Sequence, residues 1–377
     1  LTHSLEVAQI ARSVAERFLA NHPAEQFDIV GGLDCDVTEA AALAHDLGHP
    51  PFGHVSETVL NRLLDSNPDS SEGFEGNAQT FRILTSLATR YEEVEGLNLT
   101  RATLSAVSKY PWRRSAGGEK RQKWGAYESE GKILDWSRNH LLSALHESKT
   151  IEAEIMDFAD DVAYAVHDLE DFYRAGMVPL EKLKQNPLEC DLIIDGLLQR
   201  KPTIDKELHR EVLGGLVQLF PPTTYLNTQK GKATLRSLTS SLVNRYIVAV
   251  SFDPQNPGLG VPSRHRAELE VLKSLTWHYV IESRALLTTR HGYSAVIQAL
   301  FTILSDAASL DKSGNRTNNL GIFPDFYRER LERARADSDA IPRAVADTIA
   351  SLTEAQAISL HQRLTGQSLG AVLDPIL

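Results

Sequence analysis

The chain has 377 residues, 42% hydrophobic and 24% charged, enough to bury a large core as one big domain or two of ordinary size. A formal net charge of −11 excludes a protein that attracts nucleic acid as a whole, so a polyphosphate must meet local Lys/Arg clusters or a bound cation. The two cysteines, Cys35 and Cys190, form no pattern, which argues against a disulfide framework or thiolate zinc site and for a reducing, cytoplasmic setting.

No apolar run approaches the roughly 20 residues of a membrane span, and no basic-then-apolar leader opens the chain. The sequence starts at Leu1 inside a helical pattern without an initiating methionine, so the expectation is that an upstream segment has been trimmed. Val7, Ile10, Val14 and Phe18 recur at the spacing of one helix face and predict a helix over 3–19. His3, four residues before Val7, lies on its inward face, either bonded to a carbonyl or serving as a ligand. After Gly31-Gly32 a second helix runs from Val37 to about Leu47, with Val37, Ala41, Ala44, His45 and Gly48 on one face, so His45 points inward beside Asp46. Pro50-Pro51 stops it, because neither proline can donate a backbone hydrogen bond, and the loop carries His54 and Glu57 back towards the helix end.

Residues 57–65 read as a short helix, 66–76 as a polar loop and 77–87 as a helix. Thr100 caps another that ends by Pro111. The loop WRRSAGGEKRQKWG follows, where Arg113, Arg114, Lys120, Arg121 and Lys123 are either solvated or in contact with polyphosphate or nucleic acid. Over 151–173, Ile151, Ile155, Phe158, Val162, Val166, Leu169 and Tyr173 form an apolar stripe, opposite Asp157, Asp160, Tyr164, Asp168 and Asp171. By periodicity alone such an acidic stripe is a solvated face. The alternative is a cavity wall with Asp160 as a ligand and Tyr164 and Asp168 touching substrate on successive turns. Shorter helices fill 180–244, and residues 252–263 form a loop or short hairpin that is the best candidate for a subdomain boundary. Helices are predicted over about 266–287 and 293–305, a loop over 312–321, a helix opened by Pro342, and a last one capped by Thr353. No period-2 run supports a substantial sheet, so the class is all-α.

The chemistry concentrates in AAALAHDLGHPPFGHVSE, residues 40–57. One upstream histidine, a His-Asp pair and a later aspartate make a mixed nitrogen/oxygen donor set that suits Mn, Fe, Ni, Zn or Co and leaves positions open for water and a phosphate oxygen. His54 with Glu57 can carry a proton to or from a leaving oxygen.

These motifs, with LTHSLEVAQIAR, GFEGNAQTFRIL, GLNLTRATLSAVSKYPW, EAEIMDFADDVAYAVHDLED, AELEVLKSLTWHYVI and VADTIASLTEAQAISLHQRLTG, span nearly the whole chain. The sequence resembles the HD-domain superfamily and, within it, the deoxynucleoside triphosphate triphosphohydrolases, the dGTPase-like proteins. The resemblance implies an HD-domain helical core over 1–177, with an inserted region at about 66–150, and an additional C-terminal helical region over 178–377. It implies a divalent metal (Mn, Mg, Fe, Ni or Co) on His3, His45, Asp46 and Asp160. Asp160 is chosen over Asp161 because only it has the family's tyrosine at +4 and aspartate at +8. His54 and Glu57 map onto the catalytic pair, and His49, Tyr164 and Asp168 onto substrate contacts. Lys109, the 113–123 loop and the Arg284–Arg290 segment are where the triphosphate is expected.

The implied reaction converts a dNTP, dGTP among them, to deoxynucleoside and inorganic triphosphate. Tyr164 would abut the deoxyribose where a 2′-hydroxyl clashes. The implied partners are dNTPs, further copies of the chain in a hexamer or tetramer, and a dNTP or single-stranded DNA effector, with no membrane. The chain departs from the family pattern at Gly76, where many members carry a histidine at or next to that position. Two rival readings remain: another HD phosphohydrolase, either a nucleotide phosphatase or a phosphodiesterase, and a non-catalytic protein that binds nucleotides or single-stranded nucleic acid.

Overall fold

A computed structural model describes residues 2–66, 72–114, 122–309, 318–334 and 341–368. Its helices, in chain order, are α1 (Thr2–Asn21), α2 (Cys35–Ala44), α3 (His54–Asp65), α4 (Gly76–Arg82), α5 (Arg101–Val107), α6 (Gly131–Arg138), α7 (Ile151–Arg174) and α8 (Leu180–Leu183). They continue with α9 (Pro187–Arg200), α10 (Lys206–Leu219), α11 (Gln229–Ala249), α12 (Ser263–Thr276), α13 (Arg284–Ala308), α14 (Asp325–Ala334), α15 (Ile341–Ala350) and α16 (Glu354–Leu364). Among the described residues the only sheet is a hairpin of β1 (Ser251–Phe252) and β2 (Leu259–Gly260), in register Ser251 to Gly260, so the fold is all-α. None of the described helices is long and apolar enough to cross a membrane.

The helix starts follow from their caps. The Asp34 carboxylate accepts the Asp36 and Val37 amides at α2. Thr150 accepts the Ala153 amide at α7, and Thr353 with Gln356 forms a reciprocal capping box at α16. The ends differ from the sequence reading in three places. First, α2 stops at Ala44 rather than Leu47. The chain turns there, and a Cβ on Gly48 would overlap the Gly76 carbonyl and the Thr80 amide, so only glycine fits. Second, the predicted 77–87 helix is α4 followed by a π turn over Ile83–Leu87. Third, the predicted 266–287 helix breaks. α12 runs into a π turn, Trp277–Ile281, and a new helix starts at Arg284 and absorbs the predicted 293–305 segment. Trp277 Nε1 donates to Glu282 Oε1 at 3.1 Å, and Ser283 Oγ accepts the Leu286 amide, local side-chain bonds that stop one helix and start the next without Gly or Pro. The expected loops at 66–76 and 312–321 fall partly, at 67–71 and 312–317, outside the described residues.

The chain folds as two units. The first comprises Leu1–His45, Arg101–Lys109 and Arg138–Leu287. In it α1, α2 and α7 pack against one another, with α5 on α2 and α7, and α12 on α7. The shared core is made of Val7, Ile10, Val14 and Phe18 from α1, Ala41 and Ala42 from α2, and Ile155, Ala159, Val162 and Val166 from α7, all buried. Alanines at these positions let the three backbones approach closely.

The second unit comprises Asp46–Thr100, Tyr110–Ser137 and Thr288–Leu377. Its core joins Phe52, Leu60, Leu64 and Phe74 to Ile297, Leu300, Phe301, Val345, Ile349 and Leu360. A buried ionic network runs through it. Asp347, 2% exposed, accepts from Nε and Nη2 along one edge of the Arg82 guanidinium and from Gln79, and Arg82 Nη1 reaches Glu130 at 2.6 Å.

Candidate active site

Three helices of the first unit converge on one point. His3 opens α1, His45 caps the C-terminal end of α2, and Asp160 lies in the middle of α7. His3 Nε2 is 3.2 Å from Asp160 Oδ1, and His45 Nε2 is 3.6 Å from the same oxygen. The two rings have centroids 5.5 Å apart. One ligand atom from each of the three residues lies within 4.8 Å of the others. The histidine on the inward face of the first predicted helix thus meets an acidic group 157 residues away.

The donor set suits a metal for a reason visible in its hydrogen bonds. His45 Nδ1 is 2.7 Å from the Ala42 carbonyl, which can only accept, so Nδ1 carries the proton. In the neutral ring Nε2 then has a lone pair facing a carboxylate oxygen. Two such donors repel unless a cation or proton sits between them. Burial alone would raise the Asp160 carboxyl, but the hydrogen bond with His3, the proximity of the His45 ring and the Lys109 charge hold it far below the usual carboxylate range. The residue is therefore an anion suited to a divalent ion.

Around Asp160 the acidic stripe of α7 divides. Asp157 and Asp160 are half-buried, whereas Asp161 and Asp171 are exposed. Lys109 is paired with Asp157 and lies 3.4 Å from Asp160 Oδ2, while Lys149 holds the other Asp157 oxygen. Asp161 is paired with Lys273, whose ammonium also sits 5.6 Å from the centre of the Tyr164 ring. Burial, with Asp171, Glu6 and Asp160 adding to it against the opposing pull of His3, pushes Asp168 up to about 6. The Tyr164 hydroxyl is raised by burial and by Asp168 and Asp160. Asp157 was expected on the stripe but not its two lysines. Lys149 and Lys273 were missed, because lysines carry no periodic signal.

The second unit holds the other histidines. The turn that delivers them is strained: Phe52 has φ 67° and Gly53 φ 59°, and α3 begins at the next residue, His54. A left-handed phenylalanine costs roughly 1–2 kcal/mol. The turn is held by Phe52 stacking on Tyr293 at 3.9 Å between ring centres and by the Gly53 amide donating to the Pro50 carbonyl.

His54 Nδ1 then donates to Glu57 Oε2 at 2.7 Å, an i,i+3 pair within the first turn of α3. The other Glu57 oxygen accepts the Gly76 amide at 3.0 Å. Burial opposes ionisation of Glu57, but these two bonds and the charges of His54 and His49 bring it down to about 2. His49 Nδ1 lies 3.1 Å from Asp46 Oδ1. Burial lowers the His49 pKa, yet the Asp46 bond and the carboxylates of Asp46, Glu57 and Glu75 raise it overall. A Cβ on Gly76 would stand 3.5 Å from Glu57 Oε1 and 3.7 Å from His49 Nε2, ordinary contact distances, so the family departure at this position lies beside the pair.

In the basic loop, Arg113 is bonded to the Gly131 carbonyl and Asp135, and Arg114 to both oxygens of Asp65, with its guanidinium over the Trp124 ring. These two arginines serve local structure. Lys120 and Arg121 lie outside the described residues.

Comparison with known proteins matches residues 1–165 to the HD domain and residues 259–363 to a phosphohydrolase-associated domain. A deoxyguanosinetriphosphate triphosphohydrolase-like protein of Streptomyces coelicolor is 36% identical over 97% of this chain and 83% of its own length. Proteins of the same description from Corynebacterium glutamicum (strain R) and Rhodopseudomonas palustris are each 33% identical. They align with 94% and 97% of this chain and with 80% and 81% of their own lengths.

Proposed function

The chain belongs to the deoxyguanosinetriphosphate triphosphohydrolase-like family of HD-domain phosphohydrolases, and on that premise we propose that it hydrolyses dNTPs, dGTP among them, to deoxynucleoside and inorganic triphosphate. The HD domain implies a divalent metal. We assign its ligands as His3, His45, Asp160 and Asp46, the residue bonded in the chain to His45. The observation that carries the reading is the meeting of His3, His45 and the anionic Asp160 from three helices, with two imidazole nitrogens facing one carboxylate oxygen as they would around a metal ion.

When bound, the ion supplies Lewis acidity at a phosphoryl oxygen and lowers the pKa of water; manganese is the first ion to test among Mn, Mg, Fe, Ni and Co. The remaining work falls to side chains. Glu57 fixes the His54 ring through Nδ1, which leaves Nε2 to carry the proton that the leaving 5′-oxygen takes as a water attacks the α-phosphorus. Lys109 offers its ammonium to the triphosphate in exchange for part of its hold on Asp157. His49 and Asp168 contact the substrate. Tyr164 closes on the deoxyribose where a 2′-hydroxyl would collide, which discriminates dNTP from NTP.

The test is to incubate the protein with Mn²⁺ and each dNTP, singly and mixed, and to chromatograph the products. Triphosphate with deoxynucleoside is the expected result. Single phosphate, or a nucleoside monophosphate, would identify another HD phosphohydrolase. Binding without turnover of any dNTP would identify a sensor. In a turning-over enzyme, Tyr164→Ala should narrow the preference for dGTP over GTP.

A further inference from the structure

We propose that His49, His54 and Glu57 form a second transition-metal site, made of different residues from the His3–His45–Asp160 set and selective for zinc-like ions. One ligand atom from each of the three lies within 4.8 Å of the others. The two imidazoles stand at 69° with centroids 5.2 Å apart. Each ring has one nitrogen against a carboxylate: His54 Nδ1 at 2.7 Å from Glu57 Oε2, and His49 Nδ1 at 3.1 Å from Asp46 Oδ1. The Asp46 oxygen faces His49 Nδ1 and leaves that ring's Nε2 for the ion, whereas at His54 the ion takes the place of the Nδ1 proton, between the ring and Glu57 Oε2. Carboxylates orient metal-ligating histidines as Asp46 orients His49.

Glu57 supplies the negative charge, and its position is set by the Gly76 amide as well as by His54. Two imidazole nitrogens and one carboxylate are the donor set of many open zinc sites, and hard magnesium, which prefers oxygen and water, is a poor match. Access is direct, since the His54 side chain is 71% exposed. The ion and the proton compete for one lone pair. An occupied site therefore breaks the His54–Glu57 bond that orients the ring for proton transfer, and zinc at concentrations that fill the site inhibits turnover. The binding claim does not depend on which phosphoester the enzyme cleaves.

The experiment is a zinc titration of the metal-free full chain, followed by calorimetry and by elemental analysis after desalting. Two ions per chain are expected. His49→Gln and His54→Gln should each lose the second ion and keep the first, whereas His45→Gln should lose the first. Magnesium in place of zinc should leave the second site unfilled. One ion per wild-type chain overturns the proposal, as does a second ion that survives in both His49→Gln and His54→Gln, or a second site that takes magnesium as readily as zinc. His54→Gln decides if the half-buried His49 variant fails to fold, because an exposed ring can be replaced without disturbing the core.

Discussion

The His3–His45–Asp160 cluster and the His49–His54–Glu57 cluster use the same residue types in opposite ways. The first is assembled at long range, from positions 3, 45 and 160 on three packed helices, and its two rings converge on one oxygen of a single carboxylate. The second is assembled within nine residues, by a strained turn and one turn of α3, and each of its rings has a carboxylate of its own. The long-range cluster thus turns two ring nitrogens onto one shared oxygen and depends on helix packing for its geometry. The local one is already balanced and depends mainly on the backbone of a single turn. One set of donors suited to a cation and another of paired donors that can pass a proton are the division of labour that metal-assisted hydrolysis requires.

That contrast is broken most directly at His45. His45→Ala should remove bound metal and lower turnover at least a thousandfold, about 4 kcal/mol of transition-state stabilisation. Elemental analysis beside a product assay checks it, and retained metal with retained turnover would reject the ligand assignment. Next in size is His54→Ala, with an expected loss of roughly 10²–10³-fold in kcat at unchanged content of the first metal. The two variants differ in the metal measurement rather than in the rate. If His54→Ala also empties the His45 site, the two clusters are not separable.

How much of this was legible beforehand follows the same division. The density of His45, Asp46, His49, His54 and Glu57 is visible in eighteen consecutive residues, and α3, α7 and the Thr353 capping box follow from spacing and caps. The meaning of the α7 acidic stripe was not legible from periodicity. Asp157, one turn before Asp160, and Asp161, the next residue, both flank it, yet one is clasped by two lysines and the other faces Lys273. Those partners lie just after α5, on the segment before α7 and on α12, and only packing brings them in. The break between α12 and α13 was hidden for a similar reason: Trp277, Glu282 and Ser283 end a helix through side-chain bonds, with none of the glycine or proline that marks a break in sequence.

The scaffolds under the two clusters also differ in how they bury charge. In the second unit Asp347 is 2% exposed but met by the Nε–Nη2 edge of Arg82 and by Gln79, a compensated network. Asp347→Ala leaves the Arg82 guanidinium with Glu130 as its one remaining carboxylate partner and should destabilise by about 3 kcal/mol, read as a lowered urea midpoint at unchanged slope. A loss within a few tenths of a kcal/mol would mean that the network contributes little beyond its own desolvation.

In the first unit the corresponding buried acid is uncompensated, and its pH signature is the mildest effect expected. Glu152, in the first turn of the helix that carries Asp160, is 6% exposed. Burial raises it to about 7, against the smaller opposing effects of its bonds to backbone amides and Thr150. The folded state therefore binds this proton more tightly than the unfolded chain, whose carboxyl titrates near 4.5. Its stabilising contribution is fully present below that value and is lost as pH rises through about 7, the reverse of a salt-bridged carboxylate. The span corresponds to roughly 3 kcal/mol at most, since each unit is worth about 1.4 kcal/mol. Glu152→Gln should flatten stability between pH 5 and pH 8 and, at pH 8, exceed the parent by about 1–2 kcal/mol, because glutamine retains part of the hydrogen bonding. Denaturation midpoints of the metal-free protein at the two pH values measure it. A parent that is more stable at pH 8 than the variant would show that the carboxylate of Glu152 is compensated after all, and that the two units bury their charges alike.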